Sequence, residues 1–131
     1  MASDLDKLLM LLEVEQMDTY LFRGDSPNRP SRVFGGQVLA QALNAAINTV
    51  EKRLLAHSMH AYFLRPGDPK KKIIYEVDPI RDGKSFATRN VIARQGGIAI
   101  FSTSISFHIE EPGLSHQFEA LQVPPPEELE S

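Results

Sequence analysis

The sequence contains no cysteine in its 131 residues. Disulfide bonds, thiolate nucleophiles and cysteine zinc sites are therefore excluded, whereas the redox compartment is left open. An excess of basic charge is also lacking, because 14 Lys and Arg stand against 17 Asp and Glu, for a net charge of −3. Such a balance creates no strong electrostatic field, so we expect neither nucleic acid nor an anionic membrane as a partner.

The motifs of several common enzyme classes are missing as well. The chain has no G-x-G-x-x-G, no P-loop, no H-E-x-x-H and no G-x-S-x-G, which disfavours dinucleotide binding, zinc proteolysis and a serine-hydrolase mechanism. The first residues are acidic and lack a cleavage pattern, so they are not expected to form a secretion signal. With 42% apolar and 24% charged residues, the composition is typical of one globular domain.

One long stretch, residues 33–50, contains no charged side chain. Its four amides recur at spacings of four, three and four, which places them on one face of a helix. The other positions are apolar and often small, so we predict a buried helix around which a sheet wraps closely. A membrane span is disfavoured because a glycine pair and the amides would be costly in hydrocarbon. The amides are Gln37, Gln41, Asn44 and Asn48.

The remaining segments are predicted to flank this helix. Residues 3–12 should form a short amphipathic helix with Ser3 as its N-cap. Residues 14–23 should form a first strand that ends at Gly24, and residues 25–32 an extended loop. Further strands are expected where residues alternate or run apolar, at 54–65, 72–81, 85–95 and 98–110.

Two turn sequences separate the last strands. Asp82 and Gly83 precede the strand at 85–95, and Gly96 and Gly97 follow it. Both pairs are expected to supply the positive φ angles of tight hairpin turns. The last three strands should therefore form an antiparallel meander.

This order of elements is that of an α+β hotdog fold, in which a curled antiparallel sheet wraps around one long central helix. The predicted organisation is an outer helix at 1–13, a hotdog domain at 14–111, and a proline-rich linker at 112–131 that leads toward a second hotdog. Because a lone sheet of this kind exposes an edge strand, we expect pairing with a second such unit, for example as a homodimer.

Several stretches together resemble one enzyme family. The strings LFRGDS, RVFGGQVLAQAL, HSMHAYFLRPGD, RDGKSFATR and VPPPEEL are similar to the N-terminal half of the type II acyl-CoA thioesterases of bacteria and peroxisomes. The resemblance covers nearly the whole chain, and FGGQ followed by HxxHxYFLRPGD is specific in order and spacing. It implies two hotdog domains fused in one chain that hydrolyse fatty acyl-CoA to fatty acid and coenzyme A, without metal or organic cofactor.

The resemblance also implies where the catalytic groups lie. The family's Asp, Ser or Thr, and Gln, which hold the attacking water, belong to its second half, and the position of that Gln falls near Ile105 here. No family catalytic residue carries over. This half is therefore expected either to take part in thioester hydrolysis or to be a non-catalytic, acyl-CoA-binding scaffold for a catalytic hotdog domain. Dehydration of a hydroxyacyl thioester is disfavoured because the central helix contains no acid.

A cytoplasmic location is expected. The peroxisome is the alternative that the resemblance suggests, although residues 129–131 form no peroxisomal address.

The candidate substrate-binding residues are Gly35, Gly36, Gln37 and Arg65. The first three stand at the start of the central helix, where free backbone N–H groups and the helix dipole can stabilise the oxyanion of thioester hydrolysis. The alternative is that the glycines only make a tight turn and let the sheet close over it. Arg65 and the lysines at 70–72 could meet the phosphates of coenzyme A, with a solvated strand end as the alternative.

His57 is the tentative catalytic residue, as a general base, because histidine is the residue type most often used for proton transfer near neutral pH. A hydrogen-bonded structural role is the alternative. His57 and His60 are expected on opposite faces of a strand and so cannot hold a metal together. The amide stripe is expected to face a partner subunit or the rim of the sheet, and only Gln37 within it is a functional candidate.

Overall fold

The computed structural model describes residues 3–27 and 31–129. Part of the predicted loop, at 28–30, and the end of the predicted tail, at 130–131, lie outside the described residues. The elements in chain order are α1 (Asp4–Leu12), β1 (Glu15–Asp18), β2 (Leu21–Gly24), α2 (Gly35–Ile47), β3 (Leu54–Phe63), β4 (Ile73–Asp82), β5 (Phe86–Gln95), β6 (Ile98–Ile109) and a short 3-10 turn, Pro126–Glu128.

Helix α1 begins as its sequence predicts. The Ser3 hydroxyl accepts a hydrogen bond from the Asp6 backbone, and the Asp6 carboxylate accepts from the Ser3 backbone, which completes a capping box. These bonds to Ser3 lower the pKa of the Asp6 carboxyl. None of the helix residues is buried, so α1 lies on the outside of the domain.

The prediction of one strand at 14–23 is wrong. The chain forms a hairpin of two short antiparallel strands, β1 and β2, with Thr19 and Tyr20 between them. The Asp18 carboxylate accepts a hydrogen bond from the Thr19 backbone at 2.7 Å, and the Tyr20 carbonyl accepts one from Val77 at 2.9 Å. These bonds stabilise a reversal that the alternating pattern of the sequence does not reveal.

All six strands form one antiparallel sheet in the order β1-β2-β4-β5-β6-β3. The predicted meander of β4, β5 and β6 is confirmed. Gly96 and Gly97 have φ angles of 56° and 79°, as predicted for the turn between β5 and β6. The expectation of a positive φ at Gly83 is wrong, because the Gly83 N–H instead closes the β4–β5 turn on the Phe86 carbonyl at 2.7 Å.

Helix α2 lies against the sheet, which contacts it through β2 to β6. The helix spans 13 residues and is shorter than the predicted stretch at 33–50. The face formed by Val38, Ala42, Ala45 and Ala46 is buried, and the small alanines allow the sheet to approach closely. The helix is not buried on every side, since the side chain of Ile47 remains exposed. Within residues 3–27 and 31–129, no helix has both the length and the apolar character needed to cross a membrane.

The end of α2 is held by a buried arginine that the sequence pattern did not single out. The Arg89 side chain is 1% exposed and donates five hydrogen bonds, which reach Thr49, the Asp82 carboxylate and the carbonyls of Arg81 and Thr88. Each guanidinium nitrogen therefore has at least one acceptor. Arg89 joins the end of the helix to the β4–β5 turn.

Candidate functional site

The start of α2 is uncapped. Phe34 occupies the N-cap position and offers no side-chain hydrogen bond. The N–H groups of Gln37 and Val38 donate to the Phe34 carbonyl, whereas those of Gly35 and Gly36 have no acceptor among the described residues. Two free donors at the positive end of the helix dipole can stabilise a negatively charged oxygen.

Each glycine lies directly beside an aromatic ring. A Cβ atom on Gly35 would lie 2.9 Å from the Phe63 ring, and one on Gly36 would lie 2.6 Å from the Phe34 ring. Phe63 belongs to β3, so the sheet does close over Gly35 as the packing alternative proposes. Both rings are largely exposed, and they flank the free N–H groups.

A cleft of about 700 Å³ opens at this helix start. Its lining is predominantly apolar and comes from the loop before α2, the first turn of α2, the end of β3 and the start of β6. Arg65 lies at the rim, where its guanidinium donates to the Ala99 carbonyl at 2.8 Å. The residues that define the cleft include Val33, Phe34, Gly35, Val38, Phe63, Leu64, Arg65, Ile100 and Phe101. The structure thus brings three of the predicted site residues, Gly35, Gly36 and Arg65, to the same region.

Gln37 is in the first turn of α2 but faces inward. Its side chain is buried, and its amide nitrogen donates to the Asp25 carbonyl and the Ser26 hydroxyl, both at 2.9 Å. Both amide hydrogens are therefore used to hold the loop after β2. This contact positions the loop beside the cleft.

Two further amides of the stripe, Gln41 and Asn44, face the chain's own N-terminal segment, whereas Asn48 is exposed and donates only to Asn44. Gln41 donates to the carbonyls of Leu11 at 2.6 Å and Asp25 at 2.9 Å, and Asn44 donates to Leu12 at 2.8 Å. Gln41 in turn accepts from the buried Tyr75 hydroxyl at 2.7 Å. Burial raises the pKa of Tyr75, which keeps this donor protonated. The amides therefore fasten α1 to α2.

The two histidines of β3 are not placed as expected. A β-bulge between Ala56 and Ser58 inserts His57 as an extra residue, so the alternation of faces is interrupted. The His57 ring contacts the Ser106 hydroxyl at 2.8 Å. His60 packs on Tyr62, which is exposed.

Both histidines therefore lie on the outer face of the sheet, away from α2. The neighbours of Ser106 along β6, Ile105 and Phe107, are buried in the core, so Ser106 and its contact His57 point the other way. The structure does not bring His57 together with the start of α2. No group of three or more His, Asp or Glu within residues 3–27 and 31–129 has an arrangement that could hold a metal ion.

A second hollow, of about 350 Å³, lies between the loop after β2 and the connection between β3 and β4. Its walls are Asp25, Ser26, Pro69 and the lysines at 70–72. The turn that carries these lysines is held by Gln95, a buried residue at the end of β5. Sequence reasoning missed Gln95, because a single polar residue before a glycine turn gives no periodic signal.

Comparison with known proteins identifies the family of this chain. A family model described as the acyl-CoA thioesterase N-terminal domain matches residues 23–108. Acyl-coenzyme A thioesterase 8 of Homo sapiens is 46% identical over 121 residues, which cover 91% of this chain but only 38% of that protein. The chain thus spans less than half the length of this curated relative.

Solved structures give the same result. The acyl-CoA thioesterase II TesB2 of Mycobacterium marinum superposes with a TM-score of 0.80 at 40% identity, covering 92% of this chain and 45% of that one. A protein of Alicyclobacillus acidocaldarius described as having a hot dog fold superposes with a TM-score of 0.73, covering 90% of this chain and 46% of that one. Its identity of 23% supports the fold alone. The predicted hotdog fold is confirmed, and the chain belongs to the acyl-CoA thioesterase N-terminal domain family.

Proposed function

We propose that this chain is the N-terminal hotdog half of an enzyme that hydrolyses fatty acyl-CoA to free fatty acid and coenzyme A. The observation that carries this proposal is the uncapped start of α2, with two free N–H groups, at a cleft of about 700 Å³. An apolar cleft suits an acyl chain, and convergent backbone donors suit a thioester carbonyl.

Thioester hydrolysis requires two functions from such a site, namely stabilisation of the carbonyl oxygen and activation of water. Water attacks the thioester carbonyl carbon, the carbonyl oxygen gains negative charge, and the C–S bond then breaks to release the thiol of coenzyme A. The N–H groups of Gly35 and Gly36 would stabilise the oxygen during attack, because they are fixed before the charge develops. The water itself needs a base or an orienting group.

Among the described residues, none that lines the cleft carries a carboxylate or an imidazole that could act as the base. Helix α2 contains no acidic, basic or histidine side chain, and His57 lies on the opposite face of the sheet. We therefore assign activation of water to a second hotdog unit. This observation also favours the second candidate function, in which the chain binds acyl-CoA and scaffolds a catalytic partner without performing the chemistry.

Strand β3 is the surface proposed for pairing with that second unit. It lies at one end of the sheet, so one row of its backbone groups has no partner strand within the described residues. Edge strands with exposed apolar residues favour pairing with another chain or domain, and Leu55, Tyr62 and Phe63 are exposed here. A second copy or a second hotdog domain would each extend the sheet.

One assay separates the two candidate functions. The purified chain is incubated with acyl-CoA thioesters of increasing chain length, and release of free thiol is followed alongside direct binding. Turnover by the chain alone would refute the scaffolding function, and binding without turnover would support it. A chain that neither binds nor hydrolyses any acyl-CoA, in the presence or absence of a catalytic hotdog partner, would refute both.

The proposed location is the cytoplasm, with the peroxisome as the alternative. Microscopy of the fluorescently tagged chain in a eukaryotic cell distinguishes the two, because a peroxisomal protein concentrates in discrete bodies. A diffuse signal supports the cytoplasm.

A further inference from the structure

The connection between β3 and β4 carries an unusual density of positive charge. Lys70, Lys71 and Lys72 follow one another, and Arg65 precedes them on the same connection. Lys72 is paired with Asp25. The side chains of Lys70 and Lys71 are exposed and have no carboxylate partner among the described residues. Two cationic groups are therefore available to an external anion.

These lysines stand on a fixed turn rather than a loose loop. The Gln95 side chain accepts from the Asp68 backbone at 2.8 Å and donates to the carbonyls of Asp68 at 2.8 Å and Lys71 at 3.0 Å. The Asp68 carboxylate accepts from the Lys70 backbone at 2.9 Å, so it is engaged within the turn. A buried amide with three bonds to one turn fixes the backbone from which Lys70 and Lys71 project.

The turn also joins the two hollows at the start of α2. Gly67 lines the apolar cleft, and its carbonyl accepts from the Val33 backbone at 2.9 Å. Lys71 is four residues further along, hence within about 14 Å of Gly67 by the reach of an extended chain. The opposite wall of the second hollow, Ser26, is hydrogen-bonded to Gln37 in the first turn of α2. The cationic hollow and the apolar cleft therefore flank the same helix turn.

We propose that Lys70 and Lys71, positioned by Gln95, bind the phosphate groups at the nucleotide end of coenzyme A. This inference rests on the proposed function, because the same ligand must place its thioester at the start of α2. Coenzyme A separates its thioester from its phosphates by the pantetheine arm, so it needs an acyl site and an anion site that are adjacent but distinct. Lysine binds phosphate as a point charge, and a turn that is already ordered reduces the entropy lost on binding.

The decisive experiment compares ligands that share the pantetheine arm and differ in phosphate. Binding of coenzyme A, dephospho-coenzyme A and pantetheine to the full chain is measured by calorimetry at low and high salt. We expect the double variant K70E/K71E to bind coenzyme A at least about tenfold more weakly at low salt, and high salt to narrow the difference. The loss of affinity in K70E/K71E should be smaller for dephospho-coenzyme A. Pantetheine should bind this variant as tightly as it binds the unmodified chain.

The matched control is K52E/K84E, which changes the net charge equally. Lys52 follows α2 and Lys84 lies in the β4–β5 turn, so both lie toward the C-terminal end of α2, away from the cleft at its start. The control should bind coenzyme A nearly as the unmodified chain does. Equal weakening in the control, equal weakening toward pantetheine, unchanged binding in K70E/K71E, or no binding of coenzyme A to the unmodified chain would each overturn the proposal.

The positioning role of Gln95 has its own test. Gln95→Leu keeps the volume but removes the bonds to the turn, so coenzyme A should bind several-fold more weakly while both lysines are still present. Pantetheine binding should not change, which a general loss of folding would not allow. Gln95→Glu keeps the acceptor for the Asp68 N–H and should retain more affinity than Gln95→Leu; equal affinities in the two variants would refute the positioning role. These binding measurements do not depend on turnover. A chain that binds coenzyme A through Lys70 and Lys71 but releases no thiol would therefore refute the proposed hydrolysis and leave the phosphate site standing.

Discussion

The two ends of α2 differ sharply. The start has no side-chain cap, carries two N–H groups without an acceptor among the described residues, and is flanked by exposed aromatic rings. The end is joined to the β4–β5 turn by Arg89, whose donors are all used inside the domain. The C-terminal end, here called the closed end, thus anchors the helix in the fold. The N-terminal end, here called the open start, leaves its polar groups available to a ligand.

This difference teaches that the same helix serves stability and binding at separate places. Polar groups that are satisfied internally contribute to folding but cannot recognise a ligand. Groups left unpaired cost some stability and are found where ligands bind. Substitutions at the two ends should therefore change different measured quantities.

The largest effect is expected at the closed end. Arg89→Met retains the apolar stem but leaves Thr49 and the neighbouring carbonyls without donors, so the free energy of unfolding should fall by about 3 kcal/mol. Urea denaturation measures this change. The matched control is Arg94→Met in the same strand, where the partly exposed pair with Glu76 should contribute less than about 1 kcal/mol. Equal losses would show that the closed end has no special role.

The second effect is expected at the open start. Gly36→Val places a branched side chain beside the free N–H groups, so affinity for acyl-CoA should fall at least about tenfold, or 1.4 kcal/mol. Stability should change by less than about 1 kcal/mol, because the exposed Phe34 ring can move into solvent. Calorimetric titration and thermal unfolding separate the two quantities.

The control for this substitution is Gly113→Val, since a Cβ atom at Gly113 would meet no described atom within 4 Å. It should alter neither quantity. If Gly36→Val lowers the free energy of unfolding but the folded variant binds acyl-CoA with unchanged affinity, the glycine serves packing alone.

A smaller effect is expected midway along the helix. Tyr75→Phe removes the donor to the buried Gln41 side chain and should reduce the free energy of unfolding by about 1 kcal/mol. Tyr62→Phe, at an exposed tyrosine, is the control and should be neutral. No loss in Tyr75→Phe would mean that the Gln41 side-chain oxygen finds another donor, such as water, and the contrast between the two ends would then rest on Arg89 alone.

The smallest effect is expected at α1, whose capped start is the reference for the uncapped start of α2. Because its bonds to Ser3 lower the pKa of Asp6 in the folded chain, this group stabilises the helix above the ordinary value of 3.8. That contribution should disappear as the pH falls from 3.8 through the lowered pKa. NMR titration of Asp6 checks the direction, and Asp6→Asn should remove the dependence; a raised pKa would contradict the capping box.

Much of the fold follows from patterns between near neighbours. The meander, the turn at Gly96 and Gly97, and the cap at Ser3 were predictable because each depends on residues a few positions apart. The hairpin of β1 and β2 and the conformation of Gly83 were predicted wrongly. Their backbone is set by hydrogen bonds from Val77 and to Phe86, which no local pattern records.

The candidate site was only partly predictable for the same reason. The glycine pair was recognisable as a helix start, yet the Phe63 ring that packs on Gly35 comes from β3, a separate part of the chain. His57 was expected to alternate with its neighbours, and a bulge in the pairing with β6 changed its direction. Gln95 gave no signal in the sequence, because its three hydrogen bonds all go to the connection between β3 and β4, which is distant along the chain.

The sequence by itself determined where the helices and most strands lie, that one uncharged helix is central, and which family the chain resembles. The tertiary structure alone decided which polar groups are used inside the domain and which remain free. The physical reason is separation along the chain: Arg89 meets Thr49 across 40 positions and Gln95 meets Asp68 across 27. Only folding brings such groups within hydrogen-bonding distance, so the contrast between a closed and an open helix end exists only in the folded chain.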